Sequence, residues 1–170
     1  EARVYVLAFT ALLVVAATGS MVVPSGTTQF GVVSAEFDSD RPDVIPTGES
    51  DTQPISLPNR GLIPMAVFLE PGSDGVAVGD QVVIVPARGE AESTVTLSAP
   101  PETGYYRRYL VTHRYLHVLP MPVLRGLYAV HPWLPVVVID AILGGGFYVA
   151  GRLLVGAGRV RTRDREDGLP

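Results

Sequence analysis

No cysteine occurs in the 170 residues, which excludes disulfides, cysteine zinc sites, iron–sulfur ligation and thiol nucleophiles. Lysine is absent as well, so all 13 basic residues are arginine. Charged residues make up only 18% of the chain, where soluble domains average about 25%. The net charge of -4 argues against nucleic-acid binding as the main role. The length allows one ordinary domain with appendages. The chain begins at Glu1, which suggests a segment of a longer protein.

The charges that are present are segregated. Residues 4–23 contain none, and 20 residues in a helix reach about 30 Å, the thickness of a bilayer core. A second apolar stretch covers 133–158, interrupted by Asp140 and Arg152. Between the two, residues 27–104 carry 12 acids against Arg41, Arg60 and Arg88. The order is therefore a transmembrane helix (4–23), an acidic domain (27–104), a basic interfacial segment (105–132), a second transmembrane helix (133–158) and a basic tail (159–170). The apolar run at 4–23 exceeds the roughly 7–15 residues of a signal-peptide core, which favours a retained helix. Arg159, Arg161, Arg163 and Arg165 put the tail in the cytoplasm by the positive-inside rule. Two spans then place both termini in the cytoplasm and the acidic domain outside the cell membrane. Arginine without lysine, beside an acid-rich domain, suggests a salt-loving source, since salt screens carboxylate repulsion. A GC-rich genome is the alternative.

The middle domain reads as β. Short alternating or β-branched runs at 29–37, 52–57, 65–70, 75–78, 81–85 and 93–98 are separated by Pro, Gly, Asn and Asp clusters. In the last run Val95 and Leu97 face one side, Thr94 and Thr96 the other. The expected fold is mainly β: an antiparallel immunoglobulin-like sandwich, flanked by two transmembrane helices and a juxtamembrane amphipathic helix.

Residues 105–119 hold Arg107, Arg108, Arg114, Tyr105, Tyr106, Tyr109 and Tyr115, and no acid. Read as a helix, this segment suits the headgroup zone, with Trp133 at the entry of the last helix. Its arginines would meet anionic lipid or the acidic face of the sandwich. Residues 123–130 form a further short helix in this reading. Asp140 is expected to cost about 2.5–3.5 kcal/mol within a membrane unless paired or near the interface. Thr18, His131 or a juxtamembrane arginine are the candidate partners, and a contact with another membrane subunit is the functional alternative. Gly144, Gly145 and Gly146 allow close helix approach.

The order Asn59-x-Gly61, an apolar strand, a Gly/Asp turn, Val82 to Pro86, Gly89-Glu90, a Ser/Thr/Val strand, Ala99-Pro100 and Gly104-Tyr105-Tyr106 resembles immunoglobulin-like modules of archaeal envelope proteins. With two spans around it, the basic segment and His131-Pro132-Trp133, the whole resembles the C-terminal extension of some haloarchaeal type I signal peptidases. That resemblance implies a non-catalytic, membrane-anchored accessory domain whose parent removes signal peptides. Its partners would be the lipid bilayer, the parent's catalytic domain or another membrane subunit, and secreted preproteins, with no cofactor and no nucleic acid. One alternative is an envelope or adhesion protein with the same module.

A second alternative is a self-contained peptidase. Gly19-Ser20-Met21 resembles the family's Ser-Met pair and Thr112-His113-Arg114 its His-Arg context, making Ser20 and His113 the candidate catalytic residues. Gly79-Asp80 resembles another family element. Pro24 stands three residues after Met21, where the family has two, and no clear Gly-Asp motif follows the histidine. Asp38, Asp40 and Asp43 read as a solvated acidic loop, lacking the glycine and terminal glutamate of a calcium hand. His113, His117 and His131 read as structural, and no metal site is expected.

Overall fold

The computed structural model describes residues 1–163, with side chains to residue 156. Arg159, Arg161, Arg163 and Arg165, which carry the orientation argument, lie outside the described side chains. Among the described residues, three helices, α1 (Ala2–Val22), α2 (Met121–Val130) and α3 (Leu134–Arg163), bracket eight strands. The strands are β1 (Gly26–Ala35), β2 (Val44–Pro46), β3 (Ser50–Asn59), β4 (Met65–Pro71), β5 (Val76–Val78), β6 (Val82–Val85), β7 (Gly89–Ser98) and β8 (Gly104–Leu116). The chain divides into a helical unit, Glu1–Gly19 with the residues from Met121 onward, and a β unit, Ser20–Pro120.

The β unit holds two sheets, ordered β2-β1-β8-β4-β6 and β3-β7-β5. Inward positions recur every second residue because strand side chains alternate. One cluster joins Val32 and Ile45 of the larger sheet to Val95, Leu97 and Ala99 from the smaller sheet and the loop after it. A second joins Val67, Leu69, Val85 and Leu110 to Leu57. Phe30 and Ile55 pack against both clusters, so the core is continuous between the sheets. The outward face of the smaller sheet is hydroxyl-rich, with Ser50 Oγ 2.7 Å from Ser98 Oγ and Thr52 Oγ1 2.9 Å from Thr96 Oγ1. Pro54 and Pro58 lie on β3, an edge strand. Edge strands tolerate proline, and proline there discourages pairing with another chain.

Two expectations need correction. The segment expected as an amphipathic helix over 105–119 is strand β8, central in the larger sheet and paired with β1 and β4. Its charges suit a helix, but alternation decides: Tyr106 and Leu110 join the core, while Tyr105 and Arg107 stay exposed. Its aromatic and β-branched residues also favour a pleated surface. The sandwich is not wholly antiparallel, because β1 and β2 pair in parallel from Val33↔Val44 to Ala35↔Pro46. Residues 36–43 provide the turn-back. The short helix expected over 123–130 is present as α2.

Leu97 is 1% exposed at the centre of the first cluster. Leu97→Ala is expected to destabilise the β unit by about 2–5 kcal/mol. Thr96→Ala on the outward face should cost about 0.5 kcal/mol or less. Denaturant unfolding of the two variants checks the contrast.

Candidate functional site

In the helical unit, α1 and α3 meet along a line of small and polar residues. Thr18 Oγ1 donates a hydrogen bond of 2.5 Å to Asp140 Oδ2. Among the described residues nothing hydrogen-bonds Asp140 Oδ1, although that atom is buried. One turn beyond Asp140, a Cβ on Gly144 would sit 2.6 Å from Val14 Cγ2, and further on a Cβ on Gly151 would sit 2.7 Å from Val6 Cγ1. Both positions therefore need glycine for the helices to approach this closely. Gly145 and Gly146 face open space. Thr18 was among the partners expected for Asp140, and it is the one found. His131 is occupied elsewhere: its Nδ1 accepts the Trp133 N–H at 3.1 Å, satisfying a backbone donor at the start of α3. Arg152 reaches back one turn, with Nη1 donating to Tyr148 Oη at 3.3 Å.

The residues expected at a lipid interface are scattered by the strand geometry. Arg114 is 9% exposed, and its Nη1 donates to the Pro58 carbonyl at 2.6 Å. Burial pushes its pKa down. Tyr115 is 2% exposed, its ring edge-on to Phe68 with centroids 5.4 Å apart. Burial first, then the charge of Glu70, push its phenol up. These two side chains are inside the fold, so the headgroup contact expected of them is corrected. Arg108 stacks over Tyr106 at 5.5 Å, and its Nη2 donates to the Ser98 carbonyl at 3.4 Å. Arg107 and Trp133 are exposed and Tyr109 is half-buried.

Of the candidate catalytic pair, Ser20 lies exposed on the last turn of α1 and His113 lies within β8. His113 Nε2 is 3.9 Å from Glu70 Oε2 on the neighbouring strand β4. Sequence reasoning saw no acid near His113, because Glu70 is brought there only by the β4–β8 register. Burial lowers the His113 pKa, and Glu70 partly opposes this. In the acidic loop, Asp43 is bound by Arg41 at 2.7 Å, which holds its carboxyl below the usual range.

The loop at 60–64 is held by several side-chain and backbone hydrogen bonds. Asn59, 5% exposed, donates through Nδ2 to the Ile63 carbonyl at 2.9 Å and the Pro86 carbonyl at 3.1 Å. Its Oδ1 accepts the Gly61 N–H at 2.9 Å. The Arg88 N–H reaches the Gly61 carbonyl at 2.9 Å, and the His117 N–H reaches the Pro64 carbonyl at 2.8 Å. The Asn59-x-Gly61 pattern was the available signal, read there only as a mark of fold.

No protein-family model matches the sequence, and no curated protein matches it. Among solved structures, the chain is similar to the ASH/PapD-like domain 7 of human CEP192, at 12% identity, covering 54% of this chain and 82% of that one, with a TM-score of 0.33. It is also similar to two Caenorhabditis elegans proteins. WR4, an MSP family member, shows 10% identity over 47% of this chain and 76% of its own, with a TM-score of 0.33. SSP-19, an MSP-domain protein like family member, shows 10% identity over 41% and 88%, with a TM-score of 0.29. These neighbours are MSP- and PapD-like domains with immunoglobulin-like sandwiches. The fold assignment here rests on the sheet order and shared core described above.

Two outcomes are expected. Gly144→Leu should force α1 and α3 apart and lower the melting temperature of the helical unit in detergent, whereas Gly145→Ala, with open space for its Cβ, should not lower it. The second concerns pH. Because the folded His113 pKa lies below its ordinary value of 6.5, the unfolded chain binds the proton more readily. The His113 contribution is thus intact above that value and declines as pH falls below it. His113→Gln should flatten this part of the stability–pH curve, read by thermal melting between about pH 5 and 7.

Proposed function

We propose that this chain is a membrane-anchored β-sandwich module, serving as the non-catalytic accessory domain of a signal-peptidase-like protein. The observation that carries the anchor is the inside-out character of the helix pair. Thr18 and Asp140 face each other, while Val4, Leu7, Phe9, Leu12 and Val15 of α1 and Val137, Ile142 and Val149 of α3 are exposed. In water such a pair would turn its polar residues outward and its apolar ones inward. In lipid the reverse holds, with small residues and polar hydrogen bonds at the helix contact. Both helices are long and apolar enough to cross a bilayer. Both termini are cytoplasmic in this reading, and the sandwich lies outside.

The accessory role draws on the resemblance of the arrangement to signal-peptidase extensions. Its mechanism is geometric: the sandwich holds a surface near the membrane where preproteins emerge, and its partners are the parent's catalytic part and the preprotein. The hydroxyl-rich outward face of the smaller sheet favours a second reading, an envelope component whose sandwich binds another protein.

Deleting the sandwich, residues 27–116, from the parent should change the rate or position of preprotein cleavage while the helices remain in the membrane fraction. Unchanged cleavage would favour the envelope reading. Ser20→Ala should leave processing unchanged, and loss of processing would instead assign the chemistry to this chain.

A further inference from the structure

We propose that the loop at 60–64, with Arg88 beside it, is an anionic-lipid contact through which the sandwich rests on the membrane surface. The inference rests on the membrane reading of the helices and adds a site to it. It begins from strand direction. Gly26 of β1 pairs with Thr112 near the end of β8, so the chain enters and leaves the sandwich at the same end. Only three residues separate α1 from β1, and four separate β8 from α2. Each connection spans at most about 14–18 Å. Both short connections therefore leave from this end of the sandwich.

The loop at 60–64 lies at that end. Asn59 closes β3 opposite Gly89, Met65 opens β4 opposite Leu116, and the His117 N–H holds the Pro64 carbonyl. The bonds from Asn59, Arg88 and His117 satisfy the loop's carbonyls at Gly61, Ile63 and Pro64. With its backbone fastened, the loop presents Leu62 at 73% exposure and Ile63 at 38%. Among the described residues, Leu62 is thus left largely uncovered on a hydrogen-bonded loop.

Two arginines and one carboxylate, Glu90, stand beside it. Arg60 and Arg88 line an open concavity of about 510 Å³ with Pro58, Asn59, Gly89 and Glu90. Neither arginine is in an ion pair among the described residues, whereas Arg41 is bound to Asp43. The Glu90 carboxylate takes a hydrogen bond from Ser56 across the strands. Arg88 adopts φ +49°, a left-handed conformation that most side chains avoid. That conformation suits glycine, yet an arginine holds it. The opposite end of the sandwich carries Glu36, Asp38, Asp40, Glu49, Asp51 and Glu102. An anionic surface would repel that end and attract the end bearing Arg60 and Arg88.

The absence of native cysteine makes the test direct. The full chain carrying Leu62→Cys, labelled with an environment-sensitive fluorophore, is reconstituted into phosphatidylcholine vesicles with or without about one-third phosphatidylglycerol. Thr96→Cys and Val137→Cys are labelled in parallel. The Leu62 label should enter an apolar environment in the anionic vesicles, be quenched by lipid-borne nitroxide, and return toward water at high salt. Arg60→Gln and Arg88→Asn should each reduce that response by about fivefold at low salt. The Thr96 label should remain in water and the Val137 label in lipid. A Leu62 label that stays in water while the Val137 label reads lipid would overturn the contact and leave the anchor standing. Equal insertion in both vesicle types, indifferent to the arginines, would overturn anionic recognition. A Val137 label in water would overturn the membrane reading and this proposal with it.

Discussion

The antiparallel pairing of β1 with β8 is the constraint on which the rest depends. It runs from Gly26↔Thr112 to Ser34↔Gly104 and places the first long strand beside the last. Without it, the routes into and out of the sandwich would have no reason to share an end. With it, the segments leading to α1 and α2 leave the same end of the sheet. The pairing also completes the larger sheet, since β8 carries β4 on its other side. The strand that was expected to lie on a membrane is instead what organises the domain.

The helix contact is consistent with the membrane setting proposed for the pair. Between two helices already surrounded by lipid, apolar burial supplies little drive, so close approach and polar pairing must supply it. Gly144 and Gly151 provide the approach, and Thr18 with Asp140 provides the pairing. An acidic side chain at such a place is costly unless partnered, and Thr18 supplies one hydrogen bond. In the proposed membrane setting, the apolar residues on the outer faces of the two helices would meet lipid.

Much of the architecture was legible in the residues. Val95 and Leu97 alternating with Thr94 and Thr96 marked β7 and its inward face, and the charge-free run at 4–23 marked α1. Thr18, one of the partners expected for Asp140, is the one found. What failed was reading 105–119 from composition. Arginines and tyrosines suit both an interfacial helix and a strand, and the alternation that sends Tyr106 and Leu110 inward decides for the strand, paired between β1 and β4. The parallel β1–β2 pair was hidden because β2 has three residues. Glu70 beside His113, and the bonds Asn59 makes to the loop ahead and to Pro86, come from tertiary register, which no local pattern encodes.

The central claim is that the two apolar helices span a membrane and carry the sandwich on its outer side. Sidedness of labelling tests it most directly. The full chain with Phe37→Cys is produced in cells, and intact cells are exposed to a membrane-impermeant maleimide. Residue 37 is exposed at the end of the sandwich away from the chain's entry and exit. The account predicts labelling of intact cells to the same extent as of lysed cells. Labelling only after lysis would contradict it.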